Sequence, residues 1–216
     1  MFDCAIQVLV GMAEVELKTF SDDKCLGQTA PSLELLEFVR GQKIDLQPNR
    51  VHVLYFWVSF YKGAWGVNEE MTQLAEKHPN VTFIAISNDA DRAAVEKFLQ
   101  KIADGLVFDE NTKSVFRLDL PYVAYDAKKL TGKMYTALSD AGSTVHVPQA
   151  FIIDKSGRVA WRQCFTQSYT VSQSNFADQL SRVVDGGNVD LSNGPKPKPK
   201  VDEGEAAEVD GDFSLF

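Results

Sequence analysis

Few side chains in this sequence could act as nucleophiles or metal ligands. The candidates are Cys4, Cys25, Cys164, His52, His78 and His146. Three cysteines at such distant positions form neither a disulfide framework nor a zinc-binding pattern, and the histidines lack the spacing of a metal site or a catalytic triad. A thiol is nucleophilic only as the thiolate, so chemistry at one of the cysteines stays open as an alternative. We expect Cys164 to be a small buried hydrophobe.

The segment from His52 to Trp65, HVLYFWVSFYKGAW, combines an apolar strand, aromatic residues, a short turn and the start of a helix. Residues 51–58 are apolar at both alternating sets of positions, which predicts a strand covered on both faces of a sheet. The turn after this strand contains Phe60, Tyr61 and Lys62, and the helix starts near Ala64 and Trp65. A strand that ends in such a turn can present side chains at the edge of a sheet.

The elements around this turn follow from periodicity. A helix is predicted from Ala64 to His78, then a buried strand in VTFIAIS, then a helix with an apolar stripe at Val95, Phe98, Leu99 and Ile102 that is capped by Asn88 or Asp89. This order implies a parallel βαβ unit with a right-handed crossover. Before it, SLELLEF and QKIDLQ are predicted as short strands around a turn at residues 40–41.

The second half of the domain is predicted with the same signals. We expect a short strand in GLVFDEN, a small helix at 113–118, a helical insert within 119–145, a hairpin formed by QAFIID and RVAWRQCF, and a last helix over 172–185. Cys164 falls near the end of the second hairpin strand, and we expect it on the far side of the domain from the turn.

The composition of the chain limits the classes of partner that it can bind. The chain has 216 residues, a formal net charge of −8 and three cysteines. Strong acidity argues against nucleic acid and anionic membrane as partners. The N-terminus carries Asp3 where a secretory signal has basic residues. Together with the low cysteine count, this predicts a cytoplasmic protein.

Two motifs resemble the thioredoxin-like superfamily, in its thiol-reductase and peroxiredoxin branch. The family's active-site strand and turn read Phe-Trp-small-Ser-Trp-Cys, two residues, Cys. Here residues 56–59 match, Phe60 replaces the Trp, Tyr61 the first Cys and Ala64 the second. The segment HVPQAFIIDKSGRVAW resembles the family's proline hairpin, which implies a cis peptide bond before Pro148. The resemblance covers about residues 30–185 and implies an α/β thioredoxin-like fold with a central mixed sheet flanked by helices.

The resemblance implies a site whose redox chemistry is lost. In the family, the helix N-terminus lowers the pKa of the first thiol, and the second resolves the mixed disulfide. Tyr61 and Ala64 do neither, so we predict no enzyme activity and no cofactor. In this fold the turn faces solvent, where Phe60, Tyr61 and Trp65 beside Lys62 have the composition of a protein interface. The alternative that residues 119–145 or the N-terminal arm cover them stays open.

The sequence divides into an N-terminal extension at 1–29, a thioredoxin-like domain at 30–185 and a tail at 186–216. The tail is rich in proline, lysine and acidic residues and ends in three candidate anchor side chains, Phe213, Leu215 and Phe216.

These features predict a redox-inactive structural or interaction module. Such an acidic domain with long flanks resembles the thioredoxin-like proteins of apicomplexan cortical microtubules, and this resemblance implies tubulin as a partner inside the microtubule. Two alternatives remain: an atypical oxidoreductase or peroxidase that uses Cys4, Cys25 or Cys164, and a module that holds client proteins in a groove at Pro148.

Overall fold

A computed structural model describes residues 23–110, 113–139 and 145–191. The described strands are β1 Glu37–Arg40, β2 His52–Trp57, β3 Thr82–Ser87, β4 Tyr122–Tyr125, β5 Gln149–Ile153 and β6 Val159–Cys164, and the described α-helices are α1 Trp65–Lys77, α2 Arg92–Ala103, α3 Leu130–Ala137 and α4 Phe176–Val184. A 3₁₀ turn at Lys62–Ala64 precedes α1, and another at Ala127–Lys129 precedes α3.

The six strands form one mixed sheet in the order β1-β4-β3-β2-β5-β6. Strands β2, β3 and β4 are parallel, while β1, β5 and β6 run antiparallel to their neighbours. All six residues of β2 are buried, as its continuous apolar pattern predicts. The predicted thioredoxin-like α/β fold is therefore confirmed.

Two apolar layers cover the sheet. Tyr55 and Trp57 of β2 belong to the layer that includes residues of α1, α2 and α4. Leu54 and Phe56 point to the opposite layer, where Tyr135 of α3 and the N-terminal segment around Leu33 pack. Because successive side chains of a strand point to opposite faces, one strand anchors both layers.

Residues 119–145 form more than a helical insert. Within the described part of this segment, β4 joins the sheet between β1 and β3, and α3 follows it. The prediction missed β4 because its four residues, YVAY, are too short for a clear periodic signal.

Residues 105–118 were also predicted incorrectly as a strand and a helix. In the described part of this segment, Phe108 and Val115 form an isolated antiparallel bridge instead. The backbone N–H and guanidinium of Arg117 both donate to the Glu69 carboxylate of α1, at 2.8 Å for the N–H. These tertiary bonds use the backbone donor that a helix needs, and they hold the segment extended.

One predicted strand and the starts of two predicted helices also differ from the structure. No strand forms in 42–47, so β1 has no hairpin partner there. The N-cap of α2 is Asp91, whose side chain accepts a hydrogen bond from the Ala94 N–H at 2.8 Å. Helix α4 starts at Phe176, four residues after the predicted start, because residues 170–174 form turns in which the Gln173 and Ser174 N–H groups donate to the carbonyls of Thr170 and Val171.

Candidate functional site

The turn between β2 and α1, which we call the 59–65 turn, leaves the carboxyl end of the central strand. Tyr61 has an extended backbone conformation, and its carbonyl accepts a hydrogen bond from the Ala64 N–H at 2.9 Å. The 3₁₀ turn at Lys62–Ala64 then leads into α1 at Trp65. The helix N-terminus therefore lies where a thiolate in this turn would be stabilised by the helix dipole.

Only one of the three turn aromatics is highly exposed. Phe60 is 77% exposed, whereas Tyr61 and Trp65 are half-buried. The Tyr61 ring folds back on the turn, since a Cβ at Gly63 would lie 2.5 Å from Tyr61 Cζ. The predicted patch of three exposed aromatics is therefore reduced to Phe60 and the edge of Tyr61.

Neither of the segments considered as a cover shields Trp65 in the described structure. Its ring packs on Phe98 of α2 and on Phe116, with centroid distances of 6.0 and 6.3 Å. Its Nε1–H donates to the Ser59 carbonyl at 3.2 Å. Trp65 therefore fixes the turn against the core.

Lys62 has an acidic partner within the chain. Its Nζ lies 2.7 Å from Glu110 Oε1, and both side chains are well exposed. The same ammonium lies 5.8 Å from the centroid of the Trp65 ring. This surface pair connects the turn to the 105–118 segment, and it offsets the unfavourable position of a cation at a helix N-terminus.

A buried carboxylate beneath the turn was not identified as a site residue from the sequence. Asp89, 3% exposed, accepts hydrogen bonds from the Ser59 N–H at 3.1 Å, the Ser59 hydroxyl at 2.8 Å and the Ser87 hydroxyl at 2.6 Å. Charge-assisted bonds of this kind are strong. The sequence signal was the polar triplet after β3, which we interpreted as a helix cap.

The peptide bond between Val147 and Pro148 is cis, the conformation that the family resemblance implies. The Pro148 carbonyl accepts a hydrogen bond from the Phe165 N–H at 2.9 Å. Gln149, the next residue, pairs with Phe56 of β2 on one side and with Cys164 of β6 on the other. Pro148, the 59–65 turn and Cys164 therefore lie at the same edge of the sheet.

This register corrects the expected position of Cys164. The cysteine is two strands away from the turn, with β5 between them, but it does not lie at the far end of the domain. Its Sγ lies 3.9 Å from Gln149 Oε1. The prediction was wrong because an antiparallel hairpin returns the end of β6 to the edge where β2 ends.

Cys25 and Cys164 are free thiols beside a buried ion pair. We call Asp23, Cys25, Arg162 and Cys164 the Arg162 cluster. Arg162 Nε donates to Asp23 Oδ2 at 2.6 Å, with side-chain exposures of 4% and 6%. The Cys25 N–H donates to Asp23 Oδ1 at 3.1 Å. The cluster joins the N-terminal segment to β6.

The electrostatics of this cluster disfavour thiolates. Burial, and then the Asp23 carboxylate, raise the pKa of Cys25 well above its usual value. Burial also raises the pKa of Cys164, although the Arg162 guanidinium acts in the opposite direction. A raised pKa disfavours the thiolate, which is the form of cysteine that acts as nucleophile and metal ligand.

The described residues contain neither a metal-binding cluster nor a membrane-spanning helix. Within 23–110, 113–139 and 145–191, no group of three or more His, Cys, Asp and Glu side chains is placed to hold a metal ion. No helix in these ranges has the length and apolarity needed to cross a membrane. Cys4 and the candidate anchors Phe213, Leu215 and Phe216 lie outside the described residues.

Comparisons with known proteins agree with the geometry. A family model described as thioredoxin-like matches residues 49–159, from the start of β2 to the start of β6. No curated protein matches the sequence significantly.

Solved structures share the fold at low sequence identity. An uncharacterized conserved protein from Geobacillus kaustophilus is 20% identical with a TM-score of 0.57, and the match covers 76% of this chain and 85% of that one. A hypothetical protein from Sinorhizobium meliloti 1021 is 15% identical with a TM-score of 0.55, covering 79% and 90%. A Bacteroides thetaiotaomicron protein proposed to be a protein disulfide isomerase is 15% identical with a TM-score of 0.50, covering 74% and 90%.

Proposed function

The chain belongs to the thioredoxin-like family, and from this premise we propose that it is a redox-inactive member that acts as a protein-interaction module. The observation that carries the proposal is the pair of residues at the thiol positions. Tyr61 and Ala64 stand there, and neither can form or exchange a disulfide. The described thiols lie elsewhere, in the Arg162 cluster, where burial raises their pKa.

The exposed side chain of Phe60 supports the interaction role. An aromatic ring that is 77% exposed is unfavourable in water and is typical of an interface anchor. Its backbone neighbour Ser59 is fixed by Asp89 through three hydrogen bonds. A contact residue on a rigid base loses little conformational entropy when it binds, so Phe60 is the expected centre of the interface.

Substitution of Phe60 tests the interface. Partners captured by the tagged full-length chain from its source cells should be lost or strongly reduced with Phe60→Ser. They should be retained with Leu35→Ser, which changes an apolar residue that is 43% exposed on another part of the surface. If both variants capture the same partners in equal amounts, the 59–65 turn is not the interface.

The thiol-based alternative has its own test. We expect the wild-type chain to show no reduction of insulin disulfides and no peroxidase turnover in the presence of a dithiol reductant. We also expect a variant with alanine at Cys4, Cys25 and Cys164 to capture the same partners. Activity in the wild-type chain that disappears in the cysteine-free variant would overturn the redox-inactive proposal.

As the partner we propose tubulin, on the inner wall of microtubules. The support is the sequence resemblance to thioredoxin-like proteins of cortical microtubules. Co-sedimentation of the purified chain with assembled microtubules tests this identity separately from the interface. Absence of co-sedimentation, with Phe60-dependent capture of another protein, would reject tubulin and retain the interaction module. A protein held through Pro148 and not through Phe60 would instead favour the client-binding alternative.

A further inference from the structure

A groove lies along the outer edge of β6, beside the end of α4. Its volume is about 750 Å³, and we call it the β6 groove. Its apolar lining consists of Leu26, Val159, Ala160, Val183, Val189 and Leu191. Leu191 is 48% exposed. Val159 and Val183 form the buried floor of the groove, and Leu26, Ala160, Val189 and Leu191 are partly exposed, a lining that favours an apolar occupant.

The chain leaves the described structure at the rim of this groove. The Gln179 side chain, which is fully buried, donates to the Asp190 carbonyl at 3.0 Å and accepts from the Asp190 N–H at 2.9 Å. This pair of bonds fixes the backbone just before Leu191. The position from which the C-terminal tail starts is therefore set by the core of the domain.

The residues beyond Leu191 have the pattern of a tether with an anchor at its end. Residues 192–212 contain only small or isolated apolar side chains, and three of the last four residues are Phe213, Leu215 and Phe216. As a flexible coil, a linker of this length has a root-mean-square reach of about 25 Å, and the Pro-Lys repeat at 195–200 extends it further. It places its end near the starting point at an effective concentration on the order of millimolar. Weak apolar contacts are then sufficient for docking.

Three charged residues line the groove, Asp23, Asp154 and Lys155, and Asp23 is paired with Arg162. Residues 201–216 contain six acidic residues and no basic one. At the rim, the Asp154 carboxylate is bound within its own turn by Ser156 and Arg158. The Lys155 ammonium donates to the Val184 carbonyl at 3.1 Å, and its other protons can bind a carboxylate.

We propose that the C-terminal end of this chain, residues 213–216, docks into the β6 groove of the same molecule. The aromatic and leucine side chains contact the aliphatic lining, and the acidic residues before them face Lys155. This places the tail on the β6 side of the sheet and not on the 59–65 turn.

Photo-crosslinking of the full-length chain tests the proposal directly. With p-benzoylphenylalanine in place of Leu215, we expect crosslinks to residues 155–160 and 183–191 in a product with the mass of one chain. The same probe at Ala206 is the matched control and should give no preference for these residues. Crosslinks from position 215 to other regions, or between two chains, would overturn the proposal.

Substitutions in the groove should reduce the crosslink without unfolding the domain. Leu191→Asp changes an exposed residue of the lining and should lower the yield at least about fivefold, since it removes apolar contact and adds repulsion toward an acidic segment. Leu130→Asp, at a residue that is 41% exposed on α3, is the control and should leave the yield unchanged. An equal yield from both variants would contradict docking in the groove.

Hydrogen exchange distinguishes the tail from any other occupant. In a chain that ends at Asp212, the amides of residues 183–191 should exchange several-fold faster than in the full-length chain, because docking no longer protects them. Unchanged exchange would overturn the proposal and point to another cover, such as residues 1–22.

Discussion

The 59–65 turn follows β2, whereas the Arg162 cluster joins β6 to the N-terminal segment, and each has a feature that the other lacks. The turn has an exposed position at the start of α1 but carries Tyr61 and Ala64. The cluster has two thiols, of which Cys25 is buried beside Asp23 and Cys164 is half-buried. Thiol reactivity needs sulfur, exposure and a positive field together. The turn geometry and the described thiols therefore lie in separate parts of this molecule.

Restoring the thiols to the turn should give the largest change. In Tyr61→Cys/Ala64→Cys, the helix N-terminus should lower the pKa of the thiol at position 61. We expect insulin reduction with dithiothreitol to rise at least about tenfold above that of Tyr61→Ser/Ala64→Ser, since only the former can exchange disulfides. A folded double-cysteine variant without turnover would show that the turn has lost the active geometry as well as the cysteines.

Removing the acidic partner of Arg162 should strongly destabilise the domain. Asp23→Ala breaks the buried ion pair with Arg162 by removing one partner, which costs about 3–5 kcal/mol of unfolding free energy. Urea denaturation followed by tryptophan fluorescence measures it. Glu110→Ala, which removes the exposed pair with Lys62, is the control and should cost less than about 1 kcal/mol. A similar loss of unfolding free energy in the two variants would show that the Arg162 cluster does not stabilise the domain.

Removing the carboxylate under the turn should have a smaller effect. Asp89→Ala leaves the buried Ser87 hydroxyl and the Ser59 N–H without their acceptor, at a cost of about 1–3 kcal/mol. The Ser59 amide should also exchange faster with solvent. Ser87→Ala removes one of the donors and is the matched control. A Ser59 amide with unchanged exchange would show that Trp65 alone fixes the turn.

The described thiols should react slowly in the folded protein. Near about pH 8.5, where a free thiol is half ionised, Cys25 and Cys164 hold fewer thiolates because their pKa values are raised by burial. Alkylation by iodoacetamide, followed by peptide mass spectrometry, should be at least about tenfold slower than in urea-unfolded chain. As the pH rises, the thiols ionise in the unfolded chain before they ionise in the folded chain. Their contribution to the free energy of unfolding is therefore present below about pH 8.5 and is lost as the pH rises above it. Equal alkylation rates in the folded and unfolded chain would favour the alternative that one of these thiols is reactive.

Much of the fold was predictable because its long elements have strong patterns. The continuous apolar runs of β2 and β3 and the stripe at Val95, Phe98 and Ile102 specify the βαβ unit without other information. The short strand β4 and the 105–118 segment were not predictable. Their conformation depends on pairing with β3 and on Glu69 of α1, partners that are distant in sequence.

The candidate site divides in the same way. Tyr61, Ala64 and Pro148 were identified by their positions in local motifs. The sequence did not reveal that Asp89 binds Ser59 or that Phe98 and Phe116 pack on Trp65. Packing between separate elements decides these contacts, and single-sequence periodicity contains no information about them.

The sequence by itself determined the chemical identity of the turn, since no fold can supply a thiol where Tyr61 and Ala64 stand. It also determined the central strand, because a segment that is apolar on both faces is stable only when both are covered. Only the tertiary structure decided exposure: it left Phe60 in solvent, packed Trp65, and buried Cys25 beside the Asp23–Arg162 pair. Exposure and pKa depend on neighbours that folding brings together, and neither is a property of a residue alone.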